Sequence, residues 1–308
     1  MIATLNWVAR HARHCLVLGL LAGLVLPQLA GFMRPWLPEM VAALLFLTAL
    51  RIGYRAAMGS LSNLSQTVLL VLALQVAVPL CIALAVRGLG ADATPLAMVL
   101  ILALSAPSIS GSPNFSILLG QDPAAAMRLL TIGTALFPFT VVPILWLVPA
   151  MGSVSAILDV ALGLLAVIAL SVGLGFVVRA KVLPSPGPAA IGALDGLSAI
   201  ALAVIVVGLM SALGPAMRSD FTGFLYWLAV AFALNFGAQM VGLLVFGRLG
   251  AGAAAGPAAL VAGNRNIALF LVALPPETTA PLMIFIGCYQ LPMYLTPILL
   301  RRVYRLMA

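Results

Sequence analysis

The chain has 308 residues, of which 64% are apolar and only 7% are charged. Soluble domains carry about 25% charged residues, and disordered chains lack this much apolar surface, so the composition excludes both classes. A mean hydropathy of +1.23 is typical of a polytopic membrane protein. The three cysteines all lie in apolar runs, which predicts small buried side chains and no disulfide framework.

Apolar runs separated by short polar breaks predict ten membrane-spanning helices. A helix of about 20 apolar residues crosses a bilayer, and each run has this length or slightly more. In chain order the predicted spans are 14–33, 37–56, 66–86, 95–119, 124–149, 154–178, 191–213, 221–247, 251–275 and 279–300. The predicted fold class is therefore an all-α polytopic membrane protein.

The positive charges predict the orientation of these spans. With a cytoplasmic N-terminus, 11 of the 15 Lys and Arg residues fall in inner segments, and Arg34, Arg87 and Arg218 fall in outer loops. This distribution obeys the positive-inside rule. It predicts a multi-pass protein of the cell inner (plasma) membrane with both termini in the cytoplasm. The net charge of +8 then indicates contact with anionic lipid, and no nucleic-acid partner is expected.

The two halves of the chain share a proline motif. Pro138-x4-Pro143-Ile-Leu in the fifth span resembles Pro292-x4-Pro297-Ile-Leu in the tenth, and both prolines are offset by 154 residues, which is half of 308. Five spans per half is an odd number, so the second half must enter the membrane in the opposite orientation. The sequence thus predicts an inverted repeat of residues 1–154 (spans one to five) and 155–308 (spans six to ten). This architecture is typical of secondary transporters.

The most polar stretches inside the spans follow the same offset. They are residues 105–114 in span four and residues 261–266 in span nine. Adding 154 to the position of Pro107 gives position 261, where the second stretch begins. Proline and glycine interrupt helices, and broken helices near the midplane form the binding sites of many carriers. The predicted helix-breaking residues are Pro107, Gly111, Pro113 and Gly263.

Arg265 is the only basic residue near the centre of a span. An arginine there costs about 2.5–3.5 kcal/mol on insertion scales, so it must face protein or water. Two interpretations stay open. In the first, Arg265 binds an anionic substrate or replaces a coupling cation; in the second, it ties off helix-end carbonyl groups at the break.

Ten further polar residues are candidate substrate ligands. Helix capping or interhelical hydrogen bonding would explain several of them equally well. They are Asn264, Asn266, Asn114, Ser112, Ser110, Ser108, Gln75, Asn235, Tyr289 and Gln290. Gln239 in span eight is a further buried polar candidate, which interhelical hydrogen bonding would explain equally well.

The sequence predicts neither an enzyme nor a metal site. Lys181 is the only lysine and no phosphate-binding loop is present, which argues against an ATP-driven pump. His11 and His14 precede the first span without an acidic neighbour, and the cysteines are too scattered for a metal site.

The order of these motifs resembles the bile acid:sodium symporter family over essentially the whole chain. The matching features are the polar break of span four, the Pro-x4-Pro of span five, Gly263 and Asn266, and Gln75 ahead of Pro79. The resemblance implies ten spans in two inverted repeats, with helices four and nine broken and crossing. It also implies a panel domain of spans 1, 2, 6 and 7 and a core domain of spans 3–5 and 8–10.

The departures from that family concern its sodium sites. Val261 stands where the family has a glutamate ligand and Arg265 where it has a glutamine, while the hydroxyl pair expected in span five falls on Ala126 and Leu130. A fixed cation would repel a sodium ion by about 4 kcal/mol at a separation of about 4 Å and an effective dielectric constant of about 20. Sodium and other cofactors are therefore not expected.

These observations predict a secondary active transporter that moves a small organic anion without sodium, with Arg265 at a midplane site. Two alternatives stay open. One is a sodium-coupled organic-anion symporter with rebuilt ion sites, and the other is a non-transporting membrane sensor or binding protein on the same fold.

Overall fold

The computed structural model describes residues 1–59, 63–148 and 153–306, and this part of the chain is almost entirely helical. The α-helices of the first half are α1 (Ile2–Arg10), α2 (Ala12–Val25), α3 (Pro27–Met33), α4 (Leu37–Ile52), α5 (Tyr54–Gly59), α6 (Leu64–Leu72), α7 (Val78–Gly88), α8 (Pro95–Ser105), α9 (Ser112–Leu119), α10 (Pro123–Thr140) and α11 (Val142–Leu145). Those of the second half are α12 (Val154–Val182), α13 (Pro188–Leu209), α14 (Leu213–Ser219), α15 (Phe221–Arg248), α16 (Ala255–Gly263), α17 (Pro276–Thr279), α18 (Met283–Leu299) and α19 (Arg301–Leu306).

Short turns of other helix types join several of these elements. A π-helical turn, Ala73–Ala77, connects α6 to α7. The 3-10 turns are Arg34–Trp36, Met210–Ala212, Gly252–Ala254, Ile267–Val272 and Ala280–Leu282.

Within the described residues, five continuous helical stretches are long and apolar enough to cross a membrane. They are Pro27–Ile52, Leu64–Gly88, Val154–Val182, Pro188–Ser219 and Phe221–Arg248, and a bent pair at the N-terminus would make a sixth. The protein is therefore an all-α membrane protein, as its composition predicts. The predicted spans one, four, five, nine and ten consist of shorter helices here, so the ten-span inverted repeat stays a prediction.

Local sequence explains where several helices begin or end. Thr94 caps α8 by accepting a hydrogen bond from the amide of Ala97 at 3.2 Å, and Asp122 caps α10 through the amide of Ala124 at 2.8 Å. Both helices then start with proline, whose fixed φ suits a first turn. Gly53 ends α4 with φ +75°, a conformation that favours glycine.

The chain divides into two compact units. Unit 1 consists of Met1–Met58 and Leu165–Leu225, and unit 2 of Gly59–Leu164 and Tyr226–Ala308. In unit 1, α13 packs against α1, α2 and α4. Glycine allows this close packing, since a Cβ atom added at Gly19 would meet the backbone of Ala203.

The interior of unit 2 is built around α10 and α16. One apolar cluster joins residues of α6, α10 and α16, among them Val71, Leu129 and Ala258. A second cluster joins α9, α15, α16 and α19, including Leu119, Leu243 and Tyr304. Both clusters include residues of α16, and the second also includes Leu119 of α9.

Candidate functional site

Two helices of unit 2 are interrupted by non-helical segments. The first interruption runs from Ala106 to Gly111, between the end of α8 and the start of α9, and the second begins directly after Gly263 at the end of α16. Pro107 and Gly111 lie within the first interruption. Pro113 lies in the first turn of α9, where proline needs no hydrogen-bond partner for its nitrogen.

The two interruptions pair with each other as a short antiparallel β-bridge. Ser108 lies opposite Arg265. The amide of Ile109 donates to the carbonyl of Asn264 at 3.3 Å, and the amide of Asn266 donates to the carbonyl of Pro107 at 2.8 Å. Two amides and two carbonyls released by the breaks are thus satisfied inside the protein, which a bilayer environment favours.

Arg265 extends from this bridge into the interior of unit 2, where it is 2% exposed. Its Nε donates to the carbonyl of Ala262 at 3.0 Å, Nη1 to that of Ala106 at 3.0 Å and Nη2 to that of Leu74 at 3.1 Å. The guanidinium therefore holds together three separate chain segments. All three of its partners are backbone oxygens at irregular points of helices.

The carbonyl of Leu74 is available because of the π-helical turn in which it lies. In such a turn an amide bonds the carbonyl five residues earlier, as the amide of Val78 does with Ala73. The corresponding donor for Leu74 would be the nitrogen of Pro79, which carries no hydrogen. Arg265 supplies the missing donor.

The charge of Arg265 is not matched by an acid. The ion pairs among the described residues are Arg51–Asp195, at 2.8 Å, and Arg128–Asp122, at 3.8 Å, and neither involves Arg265. A buried charge without a counter-ion is costly unless dipoles solvate it. Here the carbonyl oxygens perform that role, in the way that they would surround a bound cation.

A second polar network surrounds the end of α16. The carbonyl of Gly263 accepts hydrogen bonds from Nδ2 of Asn235 and from the hydroxyl of Tyr289. Nδ2 of Asn264 donates to the carbonyl of Leu260 at 3.0 Å, and its Oδ1 accepts a hydrogen bond from Oγ1 of Thr296 at 3.4 Å. The last carbonyl of the broken helix is therefore fixed by two side chains from neighbouring helices.

This network continues from the break to α19. Gln239 donates to Oδ1 of Asn235 at 2.7 Å and to Oγ1 of Thr296 at 3.1 Å. Its own Oε1 accepts a hydrogen bond from the hydroxyl of Tyr304 at 2.9 Å. Burial raises the pKa of Tyr304, which keeps this hydroxyl protonated and able to donate.

A comparable contact occurs near the first break. Nε2 of Gln75 donates to the carbonyl of Gly133 at 3.2 Å, and its Oε1 accepts a bond from Thr140 at 2.8 Å. Gln75 is 2% exposed and both of its polar atoms are engaged. Its role in this conformation is to join the π-helical turn to α10.

The predicted ligand residues fall into two groups. Most are buried and bound to other protein groups, including Ser108 and Ser112, which bond each other. Gln290 donates only to the carbonyl of Ile286 in its own helix, at 3.0 Å. The second group has side chains that bond no other described residue: Ser110 and Asn266 are partly exposed and Asn114 is exposed.

Sequence reasoning did not select three residues of these networks, namely Thr140, Thr296 and Tyr304. A usable feature existed for the two threonines, since each lies inside one of the two Pro-x4-Pro runs. Tyr304 follows the last predicted span in a basic segment, and nothing in its local sequence indicates a buried partner.

No cluster of three or more His, Cys, Asp or Glu residues suited to a metal ion occurs in the described part of the chain. No protein-family model matches the sequence, and no curated protein matches it. The family resemblance therefore stays a prediction.

Removing the hydroxyl of Tyr304 is expected to destabilise unit 2. In Tyr304→Phe, the buried Oε1 of Gln239 loses its hydrogen-bond donor, which lowers the free energy of unfolding by about 1–3 kcal/mol. The melting temperature of the purified protein in detergent should fall. Tyr226→Phe is the matched control, because Tyr226 is 47% exposed; equal stability of the two variants would contradict this role.

Proposed function

We propose that this protein is a secondary active transporter that moves a small organic anion without sodium. In this proposal ten spans form two inverted repeats in the inner membrane, both termini are cytoplasmic, and the site lies where helices four and nine cross. The repeats are residues 1–154 and 155–308.

The observation that carries the proposal is the buried guanidinium of Arg265, which has no acidic partner among the described residues. Its three carbonyl contacts favour the interpretation that Arg265 donates hydrogen bonds to unpaired carbonyl groups at helix ends. These contacts leave its positive charge unneutralised, so the same residue is a fixed cation at the crossing. An anion near this point would be attracted, and a free cation would be repelled.

Three polar side chains with no bonds to other described residues supply a place for the substrate. Asn266 directly follows Arg265. Ser110 lies within the first interruption, and Asn114 lies in the first turn of α9. Amide and hydroxyl groups can donate to a carboxylate. We assign direct substrate contacts to these three residues, and assign Asn264, Asn235, Tyr289 and Gln75 to holding the site in shape.

The division into two units supports the proposed mechanism. Unit 2 contains all of the predicted spans three, four, five, nine and ten and most of span eight, and unit 1 contains spans one, two and seven. Span six is divided between the two units at Leu165. Alternating access in inverted-repeat carriers is largely a movement of one such body against another.

Replacing sodium chloride by potassium chloride at equal concentration should leave the melting temperature in detergent unchanged. A ligand at 100 times its dissociation constant adds about 2.7 kcal/mol to the free energy of unfolding, so an occupied sodium site would be visible. A saturable sodium-specific increase would contradict the proposal and favour a sodium-coupled symporter.

The substrate class is tested by the same assay with small mono- and dicarboxylates in sodium-free buffer. Anions that raise the melting temperature should then be accumulated by proteoliposomes, and Asn266→Ala should weaken both effects. The matched control is Gln290→Ala, because Gln290 bonds only its own helix. Stabilisation by an anion without any flux would instead identify a membrane sensor.

A further inference from the structure

A cleft of about 210 Å³ lies in unit 1, far along the chain from the residues of the crossing. Its lining includes Gly53, Tyr54 and Arg55 at the junction of α4 and α5, and Arg179 and Pro184 at the end of α12. Pockets for drug-sized ligands measure about 300–1,000 Å³. This cleft therefore suits a small group such as a phosphate.

Arg179 is held rigidly in this cleft. Its Nη1 donates to the carbonyls of Leu50 and Arg51, at 3.1 and 3.3 Å, which are among the last carbonyls of α4. Gly53 lets the guanidinium lie across the backbone, since an added Cβ would be 3.3 Å from its Nε. The Nε and Nη2 groups of Arg179 bond no other described residue.

Arg55 provides a second cation with free donors. Its Nε donates to the hydroxyl of Tyr54 at 3.1 Å, and its guanidinium carbon lies 5.8 Å from the centre of that ring. Its two Nη groups make no bond to the described residues. No carboxylate is found among the described residues that line the cleft. Asp195 is paired with Arg51 at 2.8 Å.

The position of the cleft indicates which anion it meets. It lies at the ends of two stretches that are long and apolar enough to span a membrane, Pro27–Ile52 and Val154–Val182. The end of the apolar part of a spanning helix is the level of lipid phosphates, and basic pockets at this level bind anionic headgroups. Arginine suits phosphate, because its planar donors match the oxygen geometry.

We propose that Arg55 and Arg179 form a binding site for one phosphate group, supplied by an anionic phospholipid or by soluble phosphate. The site is separate from the proposed transport function, because none of its residues belongs to unit 2. Arg179 is the preorganised part, and Arg55 closes over the bound group.

The test is a titration of the purified full-length protein in detergent with phosphatidylglycerol, phosphatidylcholine or inorganic phosphate. Binding is followed by native mass spectrometry, and the variants are Arg55→Gln and Arg248→Gln. Arg248 is an exposed arginine at the end of α15 and serves as the control for loss of one charge. Arg179 is left intact because it also caps α4.

Wild type and Arg248→Gln should bind one phosphatidylglycerol with equal affinity, and Arg55→Gln should bind it about fivefold more weakly, the effect of one arginine near an anionic headgroup. Competition by inorganic phosphate would assign the site to soluble phosphate as well, and preference for phosphatidylglycerol without competition would assign it to lipid. Equal affinity of Arg55→Gln and wild type, or equal weakening in Arg248→Gln, would overturn the proposal.

Discussion

Arg265→Ala is expected to lower the free energy of unfolding by about 3 kcal/mol and to make the protein responsive to added guanidinium ion. The substitution leaves the carbonyls of Leu74, Ala106 and Ala262 without donors in a buried space, and each such group costs about 1–3 kcal/mol. Removal of an unpaired buried charge offsets part of this loss. The measurement is thermal unfolding in detergent.

The response to guanidinium distinguishes a cation site from ordinary packing. Millimolar methylguanidinium should restore part of the lost stability in Arg265→Ala, because the vacated space keeps three carbonyl oxygens directed at it. The stability of Arg265→Lys should lie between those of wild type and Arg265→Ala, because an ammonium keeps the charge but lacks the planar donor geometry. Arg248→Ala, at an exposed position, should neither lose stability nor respond, and a variant Arg265→Ala insensitive to methylguanidinium would contradict the cation role.

Gly263→Ala is expected to lower the free energy of unfolding by at least as much as Arg265→Ala does. A Cβ atom at this position would collide with the backbone carbonyl of Asn235 and with Cγ of Gln239. The backbone cannot move aside without breaking the hydrogen bonds that Asn235 and Tyr289 donate to the Gly263 carbonyl. Overpacking of this kind costs about 1–3 kcal/mol, and the lost hydrogen bonds add to it.

Gly237→Ala provides a matched control on α15, because an added Cβ there meets nothing within 4 Å. Alanine in an open helical position is about 0.5–1 kcal/mol more favourable than glycine. The two variants should therefore change the melting temperature in opposite directions. A Gly263→Ala protein as stable as wild type would show that the end of α16 is loosely packed against α15.

The sequence was sufficient for the features that depend on local chemistry. Composition predicted a helical membrane protein, and the cluster of Pro107, Gly111 and Pro113 predicted an interruption that lies between Ser105 and Ser112. These outcomes follow from the properties of single residues, namely hydropathy and the missing amide hydrogen of proline. The cost of burying a charge in lipid likewise indicated that Arg265 must face protein or water, and it faces protein.

The partners of those residues depend on packing between distant segments. Arg265 contacts Leu74, 191 residues away, through a carbonyl that is free only because of a π-helical turn. A hydropathy pattern contains no information about that turn. The bond from Tyr304 to Gln239 has the same origin, because only the packing of α19 against α9 and α15 brings the two groups together.

The oxygens that hold Arg265 belong to the main chain, and this has a consequence for how the site can change during evolution. Substitutions at Leu74, Ala106 or Ala262 replace side chains but leave those carbonyl oxygens in place. The three positions are thus free to drift among residues of similar size without loss of the site. We therefore expect selection for the site to act mainly on Arg265, Pro79 and Gly263. Related proteins that keep the site should keep these three residues.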